Sequence, residues 1–198
     1  ILILIVMVIC CFFFVKPEPG YNPGAGVAKK KAVREPASDV NVGVMMRSMS
    51  FWMYYIWAIL ISAAGLVLVS QSNGIATQVA TNAGGISDSN IATVVGLISI
   101  FNGIGRIFFG TLFDKKGYKA TMILDMIIFI VAAIILVLAI NTNSYALITI
   151  GFIVGGFAYG GVTPTNSAII SEFYGRTHYP INFSIINTNL LIASFAST

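Results

Sequence analysis

The chain alternates long apolar stretches with short polar ones. A membrane-spanning helix needs about 20 consecutive, mainly apolar residues. Whole spans are predicted at the four longest apolar stretches, 50–69, 91–113, 121–140 and 145–170. Two further stretches, 1–15 and 180–198, reach the first and last residues, and we expect each to be part of a span. The pattern predicts an all-α integral membrane protein with four whole spans and two incomplete ones.

Composition supports this interpretation. Hydrophobic residues make up 57% of the chain and charged residues only 9%, whereas soluble domains carry about 25% charged residues. The formal net charge is +4, but the basic residues lie in short segments between apolar stretches. A nucleic-acid partner is therefore not expected, because such a partner needs basic residues on a soluble face.

The segment 16–48 has the composition of a linker. It contains Pro17, Pro19, Gly20 and a basic run at 29–31, and it lacks an apolar face to bury. We expect it to be flexible and soluble. The predicted organisation is the end of a span at 1–15, a linker at 16–48 and a helical bundle at 49–198.

Lys and Arg are distributed unevenly among the connecting segments. Six lie in the linker, three follow position 113, and Arg176 follows the span at 145–170, whereas the segments 70–90 and 141–144 contain none. The positive-inside rule places the Lys- and Arg-rich segments on the cytoplasmic side. We therefore expect a multi-pass protein of the cytoplasmic (inner or plasma) membrane, with 16–48, 114–120 and 171–179 in the cytoplasm.

Arg106 lies inside the apolar span at 91–113. It precedes Asp114 by eight residues, or about 12 Å of helix, which places it near the middle of a hydrocarbon core about 30 Å thick. Small and polar residues share one face of this helix: Gly96, Ser99, Gly103, Arg106 and Gly110. An arginine at this depth is costly and usually marks a substrate or ion path. Arg106 therefore predicts transport of an anion, the alternative being a structural pair with a carboxylate of the protein.

The segment that follows this helix resembles the cytoplasmic loop signature of the major facilitator superfamily, G-x-x-x-D-R/K-x-G-R/K-R/K. The matching residues are Gly110, Asp114, Lys115, Gly117 and Lys119, and Tyr118 stands where a basic residue is usual. The resemblance implies that the Asp114 loop is a cytoplasmic gate. The alternative is a solvated charged turn.

More of the chain is similar to the oxalate/formate antiporter family within that superfamily. The similar segments are 16–21, 46–52, 102–106 and 173–176. This resemblance implies twelve spans in two halves, with the present chain covering spans six to eleven. It also implies that substrate binds at the membrane midplane, between this bundle and the remaining half of the transporter.

Oxalate carriers of that family hold the dicarboxylate with an Arg of the eighth span and a Lys of the eleventh. Arg106 matches the first, whereas Asn189 stands at or beside the second, and the chain has no Lys from Pro180 onward. We therefore expect a singly charged carboxylate such as formate, lactate or pyruvate, with protons as a further candidate for the coupling ion. Asn102, Tyr159 and Asn187 are additional candidates for the substrate path.

Two alternatives to an antiporter of small carboxylates stay open, and a third is not expected. A proton-coupled symporter of another small organic substrate is one, and a membrane scaffold or sensor that does not transport is another. An enzyme is not expected, because His, Cys and carboxylate side chains form no cluster along the chain that indicates a nucleophile, a metal site or a cofactor.

Two features of the later spans carry weaker predictions. Asp125 lies about one turn inside its span, where water would reach it, so we expect a structural role, with proton carriage as the alternative. Glycines recur in the span at 145–170, and Pro164 follows them. Such a pattern predicts close helix contact, and a bend is the alternative.

Overall fold

The structure is a computed structural model that describes residues 39–85 and 87–196. Over these ranges the chain is helical and contains no strand. The seven helices are α1 (Val42–Arg47), α2 (Met49–Asn82), α3 (Asp88–Lys116), α4 (Tyr118–Thr142), α5 (Tyr145–Tyr159), α6 (Val162–Tyr174) and α7 (Tyr179–Ala196). The predicted span end at 1–15 and most of the predicted linker lie outside the described residues.

Within the part of the chain that the structure describes, four segments are long and apolar enough to cross a membrane. They are Met49–Asn82, Asp88–Lys116, Tyr118–Thr142 and Tyr145–Tyr174, the last of which comprises α5 and α6. These segments correspond to the four whole spans predicted from the apolar pattern. The all-α membrane class is therefore confirmed.

The first of these helices is longer than predicted. We expected it to end at Val69, but α2 continues to Asn82. The extension is stabilised by a stripe of small residues, in which Ala76, Val79 and Ala80 are buried against the start of α3. The helix therefore continues through this mainly polar segment, because a small apolar residue at every third or fourth position gives it a face to bury.

The end of the predicted linker is also ordered. Asn41 caps α1 by accepting a hydrogen bond from the Val44 N–H at 3.1 Å, and Met45 of α1 is fully buried. The Asp39 carboxylate accepts hydrogen bonds from Thr177, on the loop before α7. The expected flexibility is therefore wrong for residues 39–47, because Met45 supplies an apolar anchor that we had not counted.

The last of the four spans is interrupted after Tyr159. Pro164 has no backbone N–H, so the Gly160 carbonyl loses the donor that it would have in a continuous helix. Proline is tolerated best in the first turn of a helix, where backbone N–H groups have no partner within the helix. The chain accordingly ends α5 at Tyr159 and restarts as α6 at Val162. The predicted close helix contact is confirmed at Gly156, where a Cβ would lie 2.6 Å from the Ile98 carbonyl oxygen on α3. Gly160 and Gly161 keep right-handed helical dihedrals, so the interruption is local and the bend stays a prediction.

Two apolar cores hold the bundle together. One contains Met45, Phe51, Phe113, Tyr174 and Ile186, and the other contains Leu68, Val79, Ile91, Ile148 and Phe152. Because Met45 and Phe113 adjoin segments predicted to be cytoplasmic, the first core lies at that end of the helices.

Candidate functional site

Arg106 and Asn102 lie one turn apart on α3, so their side chains share one side of the helix. The Arg106 Nε–H group donates a hydrogen bond to Asn102 Oδ1 at 3.1 Å. Arg106 is exposed and Asn102 is half-buried. Asn102 therefore orients the guanidinium. This bond uses only Nε of Arg106 and does not involve its two terminal nitrogens.

The backbone of α3 at these residues packs directly on the interruption between α5 and α6. A Cβ added at Gly160 would overlap the Asn102 carbonyl oxygen and lie 2.9 Å from the Arg106 backbone nitrogen. A Cβ at Gly105 would overlap the Phe157 carbonyl oxygen. Glycine is required on both helices, and this contact sets where Arg106 stands relative to α5.

Tyr159 joins the same site from the last residue of α5. Its ring covers Gly65 on α2 so closely that a Cβ at Gly65 would overlap it. Tyr159 is half-buried and lies within electrostatic range of Arg106. The fold therefore adds Tyr159 to the pair of Asn102 and Arg106 that helical spacing already predicts.

The two predicted asparagines of α7 occupy different environments from Arg106. Asn189 is fully buried and its Oδ1 accepts a hydrogen bond from Ser62 on α2 at 3.4 Å, while its Nδ2 finds no partner within the described residues. Asn187 is half-buried. Asn189 thus points into the bundle, and a substrate contact at Asn187 or Asn189 stays a prediction.

The loop signature has a clear local structure. Gly117 is buried and has a φ of 81°, a left-handed conformation that favours glycine, and its N–H donates to the Phe113 carbonyl at 2.8 Å. Gly110 faces Pro164 of α6, which lies 3.8 Å from the position of a Gly110 Cβ. The two glycines therefore shape the turn and its packing.

The charged residues of this loop are exposed. They are Asp114, Lys115, Lys116 and Lys119, and the Lys119 ammonium lies 5.9 Å from the centre of the Tyr118 ring. Tyr118 thus provides an aromatic surface at the position where the family pattern has a cation. A gating role for Asp114, Lys115 and Lys119 stays a prediction.

Asp125 is the residue whose environment we predicted wrongly. Because α4 begins at Tyr118, Asp125 lies seven residues, or about 10 Å, along the helix, and its side chain is fully buried instead of hydrated. Neither carboxylate oxygen has a hydrogen-bond partner within the described residues. A carboxylate in an otherwise apolar helix was the available sequence signal, but only packing shows that it is sealed from water.

A separate cavity of about 560 Å³ lies between α2 and α4. Apolar side chains line it, among them Trp57, Leu60, Leu68, Phe129 and Leu136. None of the candidate substrate residues borders it. No charged side chain lines it, and we do not assign it to an anionic substrate.

The described residues contain no cluster of three or more His, Cys, Asp or Glu side chains that suits a metal ion. The chemistry of the site is therefore that of one guanidinium, one amide and one phenol on an open helix face.

Comparison with known proteins identifies the family of this chain. The family model of the Major Facilitator Superfamily matches residues 1–198. The chain belongs to the major facilitator superfamily. Members of this superfamily are transporters, and the four long apolar segments agree with a multi-pass membrane protein.

Two curated relatives refine the comparison. The chain is 30% identical over 164 residues to the oxalate:formate antiporter of Oxalobacter formigenes, covering 79% of this chain and 37% of that protein. It is 24% identical over 156 residues to an uncharacterized MFS-type transporter, YhjX, of Escherichia coli (strain K12), with the same coverage of 79% and 37%. The chain thus spans little more than a third of the length of these relatives. No solved structure matches it significantly.

Proposed function

We propose that the transporter containing this chain is a secondary carrier of small carboxylate anions, and that Arg106 is the cation that binds them. The observation that carries the proposal is the state of Arg106: it lies within an apolar helix, it is exposed, and Asn102 holds its Nε–H at 3.1 Å. No covalent chemistry is involved.

The geometry suits recognition of a carboxylate. A guanidinium presents parallel N–H groups that match the two oxygens of a carboxylate, and such charge-assisted pairs are stronger and more directional than those of lysine. Because Asn102 engages Nε, the terminal nitrogens are left to meet an anion. Tyr159, within electrostatic range of the guanidinium, would supply a phenol for a further hydrogen bond.

The charge of the site favours a monocarboxylate. Of the cationic side chains in residues 39–85 and 87–196, Arg106 is the one placed in the interior of a predicted span. Asn187 and Asn189 contribute only neutral amides from α7. One cation balances formate, lactate or pyruvate, whereas oxalate would retain an unbalanced negative charge.

Transport itself would proceed by alternating access. This bundle and the remaining half of the transporter would rock about the bound anion, with the Asp114 loop, Lys115 and Lys119 acting as a cytoplasmic gate. Antiport follows the oxalate:formate antiporter to which the chain is similar. The cytoplasmic membrane and the cytoplasmic position of the loops follow from the Lys and Arg distribution.

The test uses the full-length transporter in liposomes preloaded with formate, with uptake of labelled formate as the readout. Arg106→Gln should abolish exchange and Arg106→Lys should retain a fraction, because a point charge replaces the planar fork. Arg176→Gln removes an exposed cation outside the site and should exchange at the unaltered rate.

Two results would overturn parts of this proposal. Exchange by Arg106→Gln at the unaltered rate would remove Arg106 from the substrate site. Oxalate binding as tight as that of any monocarboxylate would reject the preference for a single charge. A full-length protein that binds no carboxylate would instead favour the scaffold or sensor alternative.

A further inference from the structure

Asp125 stands apart from every other charged residue that the structure describes. Its side chain has no solvent exposure, whereas all Lys, Arg and His side chains in residues 39–85 and 87–196 are exposed. Both carboxylate oxygens lack a hydrogen-bond donor among the described residues. Neither a buried cation nor a protein donor is therefore available to stabilise a negative charge there.

The surroundings of Asp125 are polar but neutral. Tyr54 of α2 lies within electrostatic range, and its hydroxyl donates to Asn166 Oδ1 at 2.5 Å, so that proton is already engaged. Thr165 lies four residues after Gly161 on the same face of α6, and its buried hydroxyl has no partner within the described residues. These neighbours carry no counter-charge, and within the described residues none of them donates a hydrogen bond to Asp125.

The other ionisable groups on the helices that pack against α4 are directed elsewhere. Arg106, Lys115 and Lys116 of α3 are exposed, and Tyr159 of α5 packs on Gly65. Glu172 of α6 lies eleven residues beyond Gly161, or about 16 Å along the chain direction. Burying an isolated ionised carboxylate is far more costly than burying the neutral acid. The packing observed here therefore accommodates Asp125 with a proton attached.

Asp125 also touches the element that positions the anion site. Its Oδ1 lies 3.0 Å from the place that a Gly161 Cβ would occupy. The adjacent Gly160 packs on the backbone of Asn102 and Arg106. The interruption between α5 and α6 is therefore in contact with Asp125 on one side and with the Arg106 helix on the other.

We propose that Asp125 is a proton-binding site, and that the interruption at Tyr159–Val162 couples its protonation to anion binding at Arg106. This inference rests on the proposed function. When an anion binds, one proton from the aqueous phase forms an O–H bond on Asp125 and the bundle closes around the neutral acid. When the interruption shifts and admits water, the proton returns to the aqueous phase and the anion is released.

The coupling has a definite sign. The conformation that orients Arg106 is the one that holds the proton, so carboxylate affinity should rise as the pH falls. A single linked proton changes affinity by up to about tenfold per pH unit. Asp125→Asn mimics the neutral acid without adding bulk and should bind the anion with an affinity that varies less than about twofold over the same range.

The experiment measures formate binding to the full-length transporter across pH, for the unaltered protein and for Asp125→Asn. Asp88→Asn is the matched control, because Asp88 is exposed at the start of α3, and it should keep the pH dependence. Proton uptake by the unaltered protein on formate addition, measured with a pH dye in weak buffer, gives a result that does not depend on a variant folding. Infrared spectroscopy should show a protonated carboxyl band that grows when formate is added and that Asp125→Asn lacks.

The outcomes separate this inference from the proposed function. Formate binding that needs Arg106 but takes up no proton, or keeps its pH dependence in Asp125→Asn, overturns the proton site and leaves the carrier intact. A protein that binds no formate overturns the carrier, and the infrared band then decides the protonation of Asp125 alone. Absence of that band from the unaltered protein overturns the proton site in either case.

Discussion

Arg106 and Asp125 are opposite charges held by neighbouring helices in opposite ways. Arg106 is exposed, and its nearest bond, to Asn102, leaves the terminal nitrogens available. Asp125 is buried inside the bundle, and no described residue donates a hydrogen bond to it. The difference supports the two proposals separately: an exposed guanidinium can meet a charged solute, whereas a buried carboxyl group without a counter-charge favours its neutral form.

The two environments share one structural element. Gly160 contacts the Arg106 helix and Gly161 contacts Asp125, so the interruption of the fourth span lies between them. Any movement of these two glycines changes both environments at once. The following experiments test whether the contrast and the shared element hold.

The largest effect is expected from Gly160→Ala. The new methyl group would overlap the Asn102 carbonyl oxygen, and backbone cannot move aside as a side chain would, so destabilisation of about 3 kcal/mol is expected. Thermal unfolding in detergent measures it. Gly74→Ala is the control, because nothing lies within 4 Å of that position, and it should be neutral or stabilising. Equal behaviour of the two variants would show that the glycine contact does not position the site.

A smaller effect is expected inside the bundle from Tyr54→Phe. Removing the hydroxyl leaves the buried Asn166 Oδ1 without its donor, which should cost about 2 kcal/mol in the free energy of unfolding. The matched control is Tyr145→Phe, whose hydroxyl has no partner within the described residues, and it should cost nothing. The measurement is the difference between the melting temperatures of the two variants. Equal melting temperatures would contradict a stabilising hydrogen bond between Tyr54 and Asn166.

The contrast in accessibility can be measured with thiol labelling. In the full-length transporter with Cys10 and Cys11 replaced by Ala, Gly103→Cys should react with a charged methanethiosulfonate about tenfold faster than Thr165→Cys. Gly103 is exposed on the Arg106 helix and Thr165 is buried. A charged reagent needs water, so slow labelling at Gly103 would mean that this helix face lies against lipid. Protection of Gly103→Cys by formate would place the anion there.

The smallest effect is expected from Asn102→Ala. Without the Asn102 amide the guanidinium loses one fixed orientation, and formate affinity should fall about fivefold, equivalent to one hydrogen bond of about 1 kcal/mol. Ser99→Ala, on the same exposed side of α3, serves as control and should bind normally. Unchanged binding by Asn102→Ala would mean that Arg106 is oriented by the anion alone.

Much of the fold was predictable because membrane spans are a local property of the chain. Apolar length located the four spans, and the polar face of α3 identified Arg106. The extension of α2 to Asn82 was missed, because small residues such as Ala76 and Ala80 lack the strong hydropathy of a span. Their contribution depends on the partner helix against which they are buried.

The candidate site was predictable in part. Asn102 follows from its spacing to Arg106 on one helix, but Tyr159 reaches Arg106 only because α5 crosses α3 at glycine contacts. Asn189 illustrates the converse, since its position along α7 suggested a depth but not that it faces Ser62 in the interior. The depth of a residue in the membrane follows from its distance along the helix. The direction in which its side chain points depends on how neighbouring helices pack.

The amino-acid sequence by itself determined that this protein is a bundle of apolar helices with an arginine in the third described helix, because hydropathy and helical periodicity act within one segment. Only the tertiary structure decided that Asp125 is shut away from water, and that one interrupted span contacts both it and the Arg106 helix. Burial and contact are properties of several helices packed together, and no single segment encodes them.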